Sequence, residues 1–258
     1  MAWTRKYDGV EPQRVNKWLA QAGVCSRREA EALIEAGAVM IDGRRVEDVG
    51  RKIAPGETLT VADRGEAELG AAVSVVINKP VGIVSAQPEH GQTPAARLLT
   101  RAAMIGDGVV PSARASLPPL GRLDQDSRGL LILSEDGVLA KAVIGPESQV
   151  DKEYIVTVRG HVDRSKIGQL RHGLELDGKP LKPAKVKLED TQVLRFVLKE
   201  GRNRQIRRMC ELVGLEVTDL VRVRTGPVVL GDLPEGKWRH LTKAEREGLI
   251  VAAQAPSA

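Results

Sequence analysis

Aromatic residues are scarce: one Phe, two Tyr and three Trp, 2% of a 258-residue chain. A protein that binds single strands by stacking successive bases needs more platforms than this, so that class is set aside and each tyrosine becomes worth inspecting. Cysteine is nearly absent as well. Cys25 and Cys210 both fall on apolar stripes and read as core, giving neither a disulfide framework nor a CxxC metal pair. His90, His161, His172 and His240 are scattered without metal-ligand spacing, so no metal is expected. No apolar run approaches the roughly 18 residues of a membrane span. Residues 1–14 carry charges in place of an apolar secretory core. These absences predict a soluble, cytoplasmic chain with no membrane partner. There is also no P-loop and no dinucleotide fingerprint, so no cofactor is expected.

What the chain does have is arginine in clusters. Lys and Arg number 39 against 34 Asp and Glu, a net charge of +5. That total is modest, and the positions of the clusters say more about an anionic partner than the total does. The length suits a large and a small domain together.

Residues 14–23 place Val15, Trp18, Leu19 and Ala22 at i, i+3, i+4 and i+7, with Gly23 set to end a helix. Ser26-Arg27-Arg28-Glu29 then reads as a capping box opening a second helix that stops at Gly37. Val39 and Ile41 alternate into an Asp42-Gly43 hairpin turn, and residues 58–61 form a closing strand. Arg27 and Arg28 sit in a first helical turn, where the dipole disfavours cations. One reading is a solvated face. The other is that they face phosphates together with Arg14, Lys17, Arg44 and Arg45, because a helix N-terminus with guanidinium groups binds phosphate well. Residues 62–72 lack periodicity and read as a linker, tethering the small basic module to the rest.

The most informative segment is Gly121-Arg122-Leu123-Asp124-Gln125-Asp126-Ser127-Arg128-Gly129, followed by Leu130-Leu131-Ile132-Leu133. The uninterrupted apolar run predicts a strand covered on both faces. A carboxylate at the mouth of such a strand is rigidly held, as nucleophiles and general bases need to be. On local grounds alone, Asp124 or Asp126 could equally satisfy turn amides. Further strands are predicted at 74–77, 154–158 and 193–198, with helices near 95–103 and 165–172. The connection before Gly121 is long, and residues 179–187 form a basic, proline-interrupted stretch. Tyr154 lies in the second of those strands, as a half-buried structural tyrosine or as a functional one.

Gly201-Arg202-Asn203-Arg204-Gln205-Ile206-Arg207-Arg208-Met209 opens a helix with Ile206, Met209, Cys210 and Val213 on one face and Gly214 at its end. Arg204 and Arg208 then project from the far side, as a solvated or RNA-facing surface. Arg207 lies about 60° from Cys210, at the edge of the apolar stripe, where it can turn into a cleft.

Three of these wordings together resemble a known family. Gly-Arg-Leu-Asp with Gln-Asp-Ser-Arg-Gly-Leu-Leu-Ile-Leu resembles the catalytic motif of RsuA-type pseudouridine synthases, the RsuA/RluB/RluE/RluF family of rRNA enzymes. Lys-Glu-Tyr-Ile-Val at 152–156 resembles its second motif, and Gln-Ile-Arg at 205–207 its third. Arg-Val-Asn-Lys-Trp-Leu-Ala-Gln-Ala-Gly-Val-Cys-Ser-Arg-Arg-Glu-Ala at 14–30 resembles an S4 RNA-binding domain. The wording of 203–211 is most similar to the RluF-type branch, which acts on large-subunit rRNA.

The resemblance implies an α+β protein with a small S4 domain over 12–62 and a linker over 63–73. A synthase domain over 74–252 would follow, built on a mixed, mainly antiparallel sheet with flanking helices. Asp124 is implied as the catalytic carboxylate, nucleophile or proton acceptor, with Tyr154 stacking on the uracil and Arg207 pairing with Asp124. Ile206 is implied to pack near the target base, and Arg122 to take the place of a flipped base or bind a phosphate. Arg204 and Arg208, with the S4 cations Arg14, Lys17, Arg27, Arg28 and Arg44, complete the expected RNA contacts. The expected partner is structured RNA, met by a monomer. The rival readings are a non-catalytic S4-type ribosome-assembly factor and a synthase acting on 16S rRNA or tRNA.

Overall fold

The computed structural model describes residues 3–62, 73–112, 115 and 117–254. The side chain of Arg28 and the expected linker residues 63–72 lie outside the described residues. Internal contacts divide the chain into two compact units, Met1–Val73 with Ser134–Lys141, and Ser74–Leu133 with Ala142–Ala258.

In the first unit, β1 (Trp3–Lys6) and β2 (Gln13–Arg14) lead into α1 (Val15–Gln21) and α2 (Arg27–Glu35). Four further strands follow: β3 (Val39–Ile41), β4 (Arg44–Arg45), β5 (Lys52–Ile53) and β6 (Thr58–Val61). They form an antiparallel sheet of order β1-β6-β3-β4 and a separate β2-β5 pair. The capping box is present in full: Glu29 N–H donates to Ser26 Oγ at 3.2 Å, and Ser26 N–H to Glu29 Oε2 at 2.6 Å. Asp42 and Gly43 both take positive φ, 47° and 78°, as a two-residue hairpin turn requires. Trp18 anchors the core, edge-on to Trp3 at 5.7 Å and Tyr7 at 5.4 Å. The sequence reading offers no element at 3–6, since a four-residue edge strand carries too short a pattern.

The chain continues through β7 (Ser74–Lys79), β8 (Arg128–Ser134), α3 (Gly137–Ile144) and β9 (Lys152–Arg159), of which Ser134–Lys141, with the start of α3, belongs to the first unit and the rest to the second. Then come α4 (Arg164–Arg171), β10 (Glu175–Leu176), β11 (Lys179–Pro180), β12 (Lys185–Asp190) and β13 (Val193–Leu198). The chain ends through α5 (Gln205–Leu212), β14 (Glu216–Thr225), β15 (Val228–Val229), β16 (Trp238–His240) and α6 (Lys243–Gln254). One sheet takes the order β12-β13-β9-β14-β8-β7-β16, with β15 on β14. The β14–β8 pairing is parallel, and the β12–β13, β13–β9, β9–β14 and β7–β16 pairings are antiparallel. The molecule is therefore α+β with a mixed, mainly antiparallel sheet.

Local chemistry explains the central strands. Gly129 to Ser134 are all buried in β8, as its unbroken apolar wording predicts. In β9 burial alternates, placing Lys152, Tyr154, Val156 and Val158 on one buried face. Gly129 has φ +102°, and a Cβ there would lie 2.4 Å from the Arg222 carbonyl oxygen across the parallel pairing. Only glycine lets β8 and β14 approach this closely.

The helix expected at 95–103 is instead two short 3-10 turns, Ala95–Leu98 and Arg101–Ala103. Thr100 is extended, with φ −109° and ψ 157°, which separates the two turns, and Trp238 Nε1 to the Thr100 carbonyl and Lys237 Nζ to the Ala102 carbonyl, both at 2.9 Å, tie the second turn to β16. Tertiary bonding overrides local helix propensity here.

Candidate active site

The polar turn at 121–127 is held from three directions. Ser85, buried, accepts the Leu123 N–H at 2.8 Å and donates to the Leu123 carbonyl at 2.6 Å, gripping the residue before Asp124 on both sides. Gly82 N–H donates to the Gln125 carbonyl at 2.8 Å, and Gln125 Nε2 returns a bond to the Gly82 carbonyl at 3.1 Å. From β14, the buried Arg222 donates through Nη2 to the Gly121 carbonyl at 2.9 Å and through Nε to the Leu130 carbonyl at 2.7 Å. One guanidinium thus spans the two ends of the turn that carries Asp124. Ser127 N–H to the Asp124 carbonyl, 3.1 Å, closes the turn.

The arginine partners differ from those expected. Arg207, buried on α5, meets Asp126: its Nη2 donates to the Asp126 carbonyl at 2.8 Å, and its Nε lies 3.3 Å from Asp126 Oδ2, a charge contact without hydrogen-bond alignment. It also bonds the Ser127 hydroxyl and the Val217 carbonyl. Arg204 is the arginine near Asp124, with Nη1 3.7 Å from Asp124 Oδ2. Both its terminal nitrogens also bond the Asp126 carboxylate, at 3.2 and 3.0 Å. The expected Arg207–Asp124 pair is corrected accordingly: the closed turn sets Asp126, two residues on, against the start of α5. Arg204 does not project from the far side of the helix, because the helix begins at Gln205. Arg204 precedes it in the left-handed region, φ 48°, where the wheel used to place it does not apply.

Burial alone would raise the Asp126 carboxyl, but the Arg204 hydrogen bonds and the Arg207 charge outweigh that and hold it below the ordinary Asp value. Lys79, fully buried at the end of β7, donates to the Pro80 carbonyl at 2.8 Å and the Ile83 carbonyl at 2.7 Å. Desolvation pushes it down to about 8, against the pull of Asp126 and Asp124. Lys152, also buried and near Arg222, is pushed down to about 8 for the same reason.

A cleft of about 340 Å³ opens beside the turn and brings six of the expected residues together. Asp124, Arg122, Tyr154, Ile206, Arg207 and Arg204 all line it. Tyr154 presents a mostly buried ring from β9, and Asp124 is 37% exposed, open to a ligand. Arg208 is not among the lining residues. Its guanidinium is engaged by Asp177 through bonds of 2.6 and 3.0 Å, outside the cleft. Arg14, Lys17, Arg27 and Arg44 are exposed on the first unit. Sequence reasoning did not single out Ser85, Lys79, Gln205 or Leu220. Two of these, Gln205 and Leu220, line the cleft. Only the unusual lysine at the end of an apolar strand, in Asn-Lys-Pro-Val-Gly, gave a signal for Lys79. Among the described residues, no group of three or more His, Cys, Asp or Glu side chains could hold a metal. No described helix is long and apolar enough to cross a membrane.

Residues 73–212 match the family described as RNA pseudouridylate synthase, and residues 13–59 match the S4 domain. The chain belongs to the RNA pseudouridylate synthase family. The synthase is 40% identical over 234 residues to the Dual-specificity RNA pseudouridine synthase RluF of Salmonella typhi, covering 90% of this chain and 76% of that protein. It is 33% identical over 251 residues to the Ribosomal large subunit pseudouridine synthase B of Bacillus subtilis, covering 93% and 97%. A crystal structure of a pseudouridylate synthase superposes with a TM-score of 0.63 at 26% identity, covering 92% of this chain and 99% of that one. The protein is thus an enzyme that makes pseudouridine in RNA, and the S4 match gives the synthase an RNA-binding module.

Proposed function

We propose that the protein converts a specific uridine of ribosomal RNA, in the large subunit, to pseudouridine, acting as a monomer with Asp124 as the catalytic carboxylate. The observation that carries this reading is Asp124 itself. It is held by a turn pinned at Gly121, Leu123 and Gln125, and it opens into the cleft that Tyr154 and Arg204 also line. The relative described as a ribosomal large subunit synthase supports the substrate class. The S4 match over residues 13–59 and the synthase match over 73–212 support a division into an S4 domain over 12–62 and a catalytic domain over 74–252.

The reaction breaks the bond from uracil N1 to ribose C1′, turns the base and forms a bond from C5 to C1′. The C5 proton leaves and N1 gains one, so atoms and electrons balance without a redox partner. An ionised carboxylate at the sugar can act as nucleophile or as proton acceptor. Arg204, with a guanidinium nitrogen 3.7 Å from Asp124 Oδ2, is the charged neighbour that restrains the direction of the carboxylate. Tyr154 offers a ring face on which uracil stacks. The target base must leave its helix, at a cost of a few kcal/mol that contacts elsewhere offset. Arg122, exposed at the cleft mouth, is suited to occupy the vacated position or to hold a neighbouring phosphate.

Asp124→Asn is expected to abolish pseudouridine formation in an rRNA transcript while RNA affinity stays within about twofold of wild type, since the carboxylate acts on the chemical step. Turnover by that variant would remove Asp124 from its role. Comparing pseudouridine maps of rRNA from cells with and without the gene identifies the target. The relative described as dual-specificity supports a second reading, in which this enzyme also accepts another kind of RNA site. A tRNA transcript beside the rRNA one tests it.

A further inference from the structure

The basic stretch that the reaction does not use is built onto the rim of the cleft. β10 and β11 form a two-stranded hairpin turned by Asp177 and Gly178, with φ of 56° and 68°. Three side chains hold it. Arg202, which lines the cleft, donates to the carbonyls of Leu176, Lys179 and Pro180 at 3.0, 3.1 and 2.5 Å. Arg208 grips Asp177 at the turn with a two-bond pair. Glu200, which also lines the cleft, accepts the Lys182 N–H at 3.0 Å and the Gln205 side-chain amide at 3.0 Å. The backbones of Lys179 and Lys182 are therefore each one hydrogen bond from a side chain that lines the cleft.

Hairpins this short are not stable alone, so a clamp of this kind serves a fixed position. A guanidinium fork suits the task, because it meets several carbonyls at once with its directions preset. Lys179 and Lys182 are themselves exposed, and no carboxylate lies within ion-pair distance of either ammonium among the described residues. Two exposed cations carried on a braced backbone at the rim of an RNA-modifying cleft suit contacts to RNA phosphates, which position the substrate without reading its sequence.

The geometry points to the 175–182 segment as an RNA grip: Lys179 and Lys182 bind phosphates next to the target uridine, and Arg202 is the positioning residue that braces them. This inference rests on the proposed reaction, and it names a specificity element for it. The flexible ammonium groups bind backbone without reading bases, so the grip acts on substrate docking and leaves the chemical step alone.

The test uses the full-length enzyme and an rRNA transcript. Lys179→Ala with Lys182→Ala is expected to raise KM about five- to tenfold with kcat within about twofold. It should also lower the slope of log affinity against log salt by about 1.5, the loss of two phosphate contacts. Lys179→Arg with Lys182→Arg should restore both values. Arg202→Ala should raise KM similarly and add little when combined with the lysine pair, because both act through one element. An unchanged salt slope, or a loss confined to kcat, overturns the grip. Additive KM effects overturn the bracing role of Arg202. If the wild-type enzyme does not modify the transcript, the proposed substrate fails, and the hairpin is then judged by the salt slope of RNA binding alone.

Discussion

Asp124 and Asp126 stand two residues apart on one turn, yet their surroundings give them different work. Asp126 bonds Arg204 and lies against Arg207, and this arrangement lowers its pKa. A carboxyl whose folded pKa lies below its unfolded value stabilises the fold at any pH above the ordinary Asp range. That contribution is lost as pH falls through the folded value. Asp126→Asn is expected to cost about 1 kcal/mol at pH 7, a modest figure because the pair is half exposed and screened. The gap to wild type should narrow as pH falls below about 4. Urea unfolding of both proteins from pH 7 to pH 3 checks this, and a gap that stays constant with pH removes Asp126 from the acid limb. Arg204 adds strain to the same corner. A non-glycine residue in the left-handed region costs on the order of 1 kcal/mol, held here by the two carboxylates its side chain meets.

At the scale of elements, the site depends on how closely β8 and β14 run. Gly129→Ala places a Cβ 2.4 Å from one backbone atom of Arg222 and 2.8 Å from another, at a φ that L-residues avoid. Backbone in a paired strand cannot swing aside, so a loss of about 2–4 kcal/mol is expected from denaturant unfolding. A loss under about 0.5 kcal/mol would mean the two strands separate without penalty. The strands and helices themselves were legible where a period was clean: the apolar run of β8, the alternation of β13 and the Ser26–Glu29 box all stand as read. What failed was the neighbourhood of element ends. Arg204 precedes a helix that starts one residue later, and the helix expected at 95–103 is broken at the extended Thr100, whose carbonyl meets Trp238. Arg204 meets a carboxylate 78 residues away and residues 95–103 meet β16 more than a hundred residues on, and no local pattern records such partners.

At the scale of the whole molecule, the reaction was legible because three motifs named it together, whereas the support of the turn was not. Ser85, Arg222 and Gly82 hold the turn that carries Asp124 through backbone carbonyls and amides, which carry no sequence signature of their own. The small N-terminal module has a separate part in the proposal, as a sequence-tolerant anchor on RNA phosphates. Arg27→Ala with Arg44→Ala is expected to reduce the salt slope of RNA binding by about 1.5 and to leave kcat at saturating RNA unchanged. An unchanged slope would return those arginines to a solvated face.

The strand order also dictates when the enzyme can exist. β7 (Ser74–Lys79), the first strand of the catalytic unit, pairs with β16 (Trp238–His240), and the parallel partner of β8 is β14, about ninety residues downstream. Such distant pairings form late, after the cost of closing long loops has been met. During synthesis from the N-terminus, the turn bearing Asp124 emerges long before Arg222 can join its two ends. A nascent chain therefore carries the carboxylate without its scaffold until β14 and β16 have been synthesised and have paired.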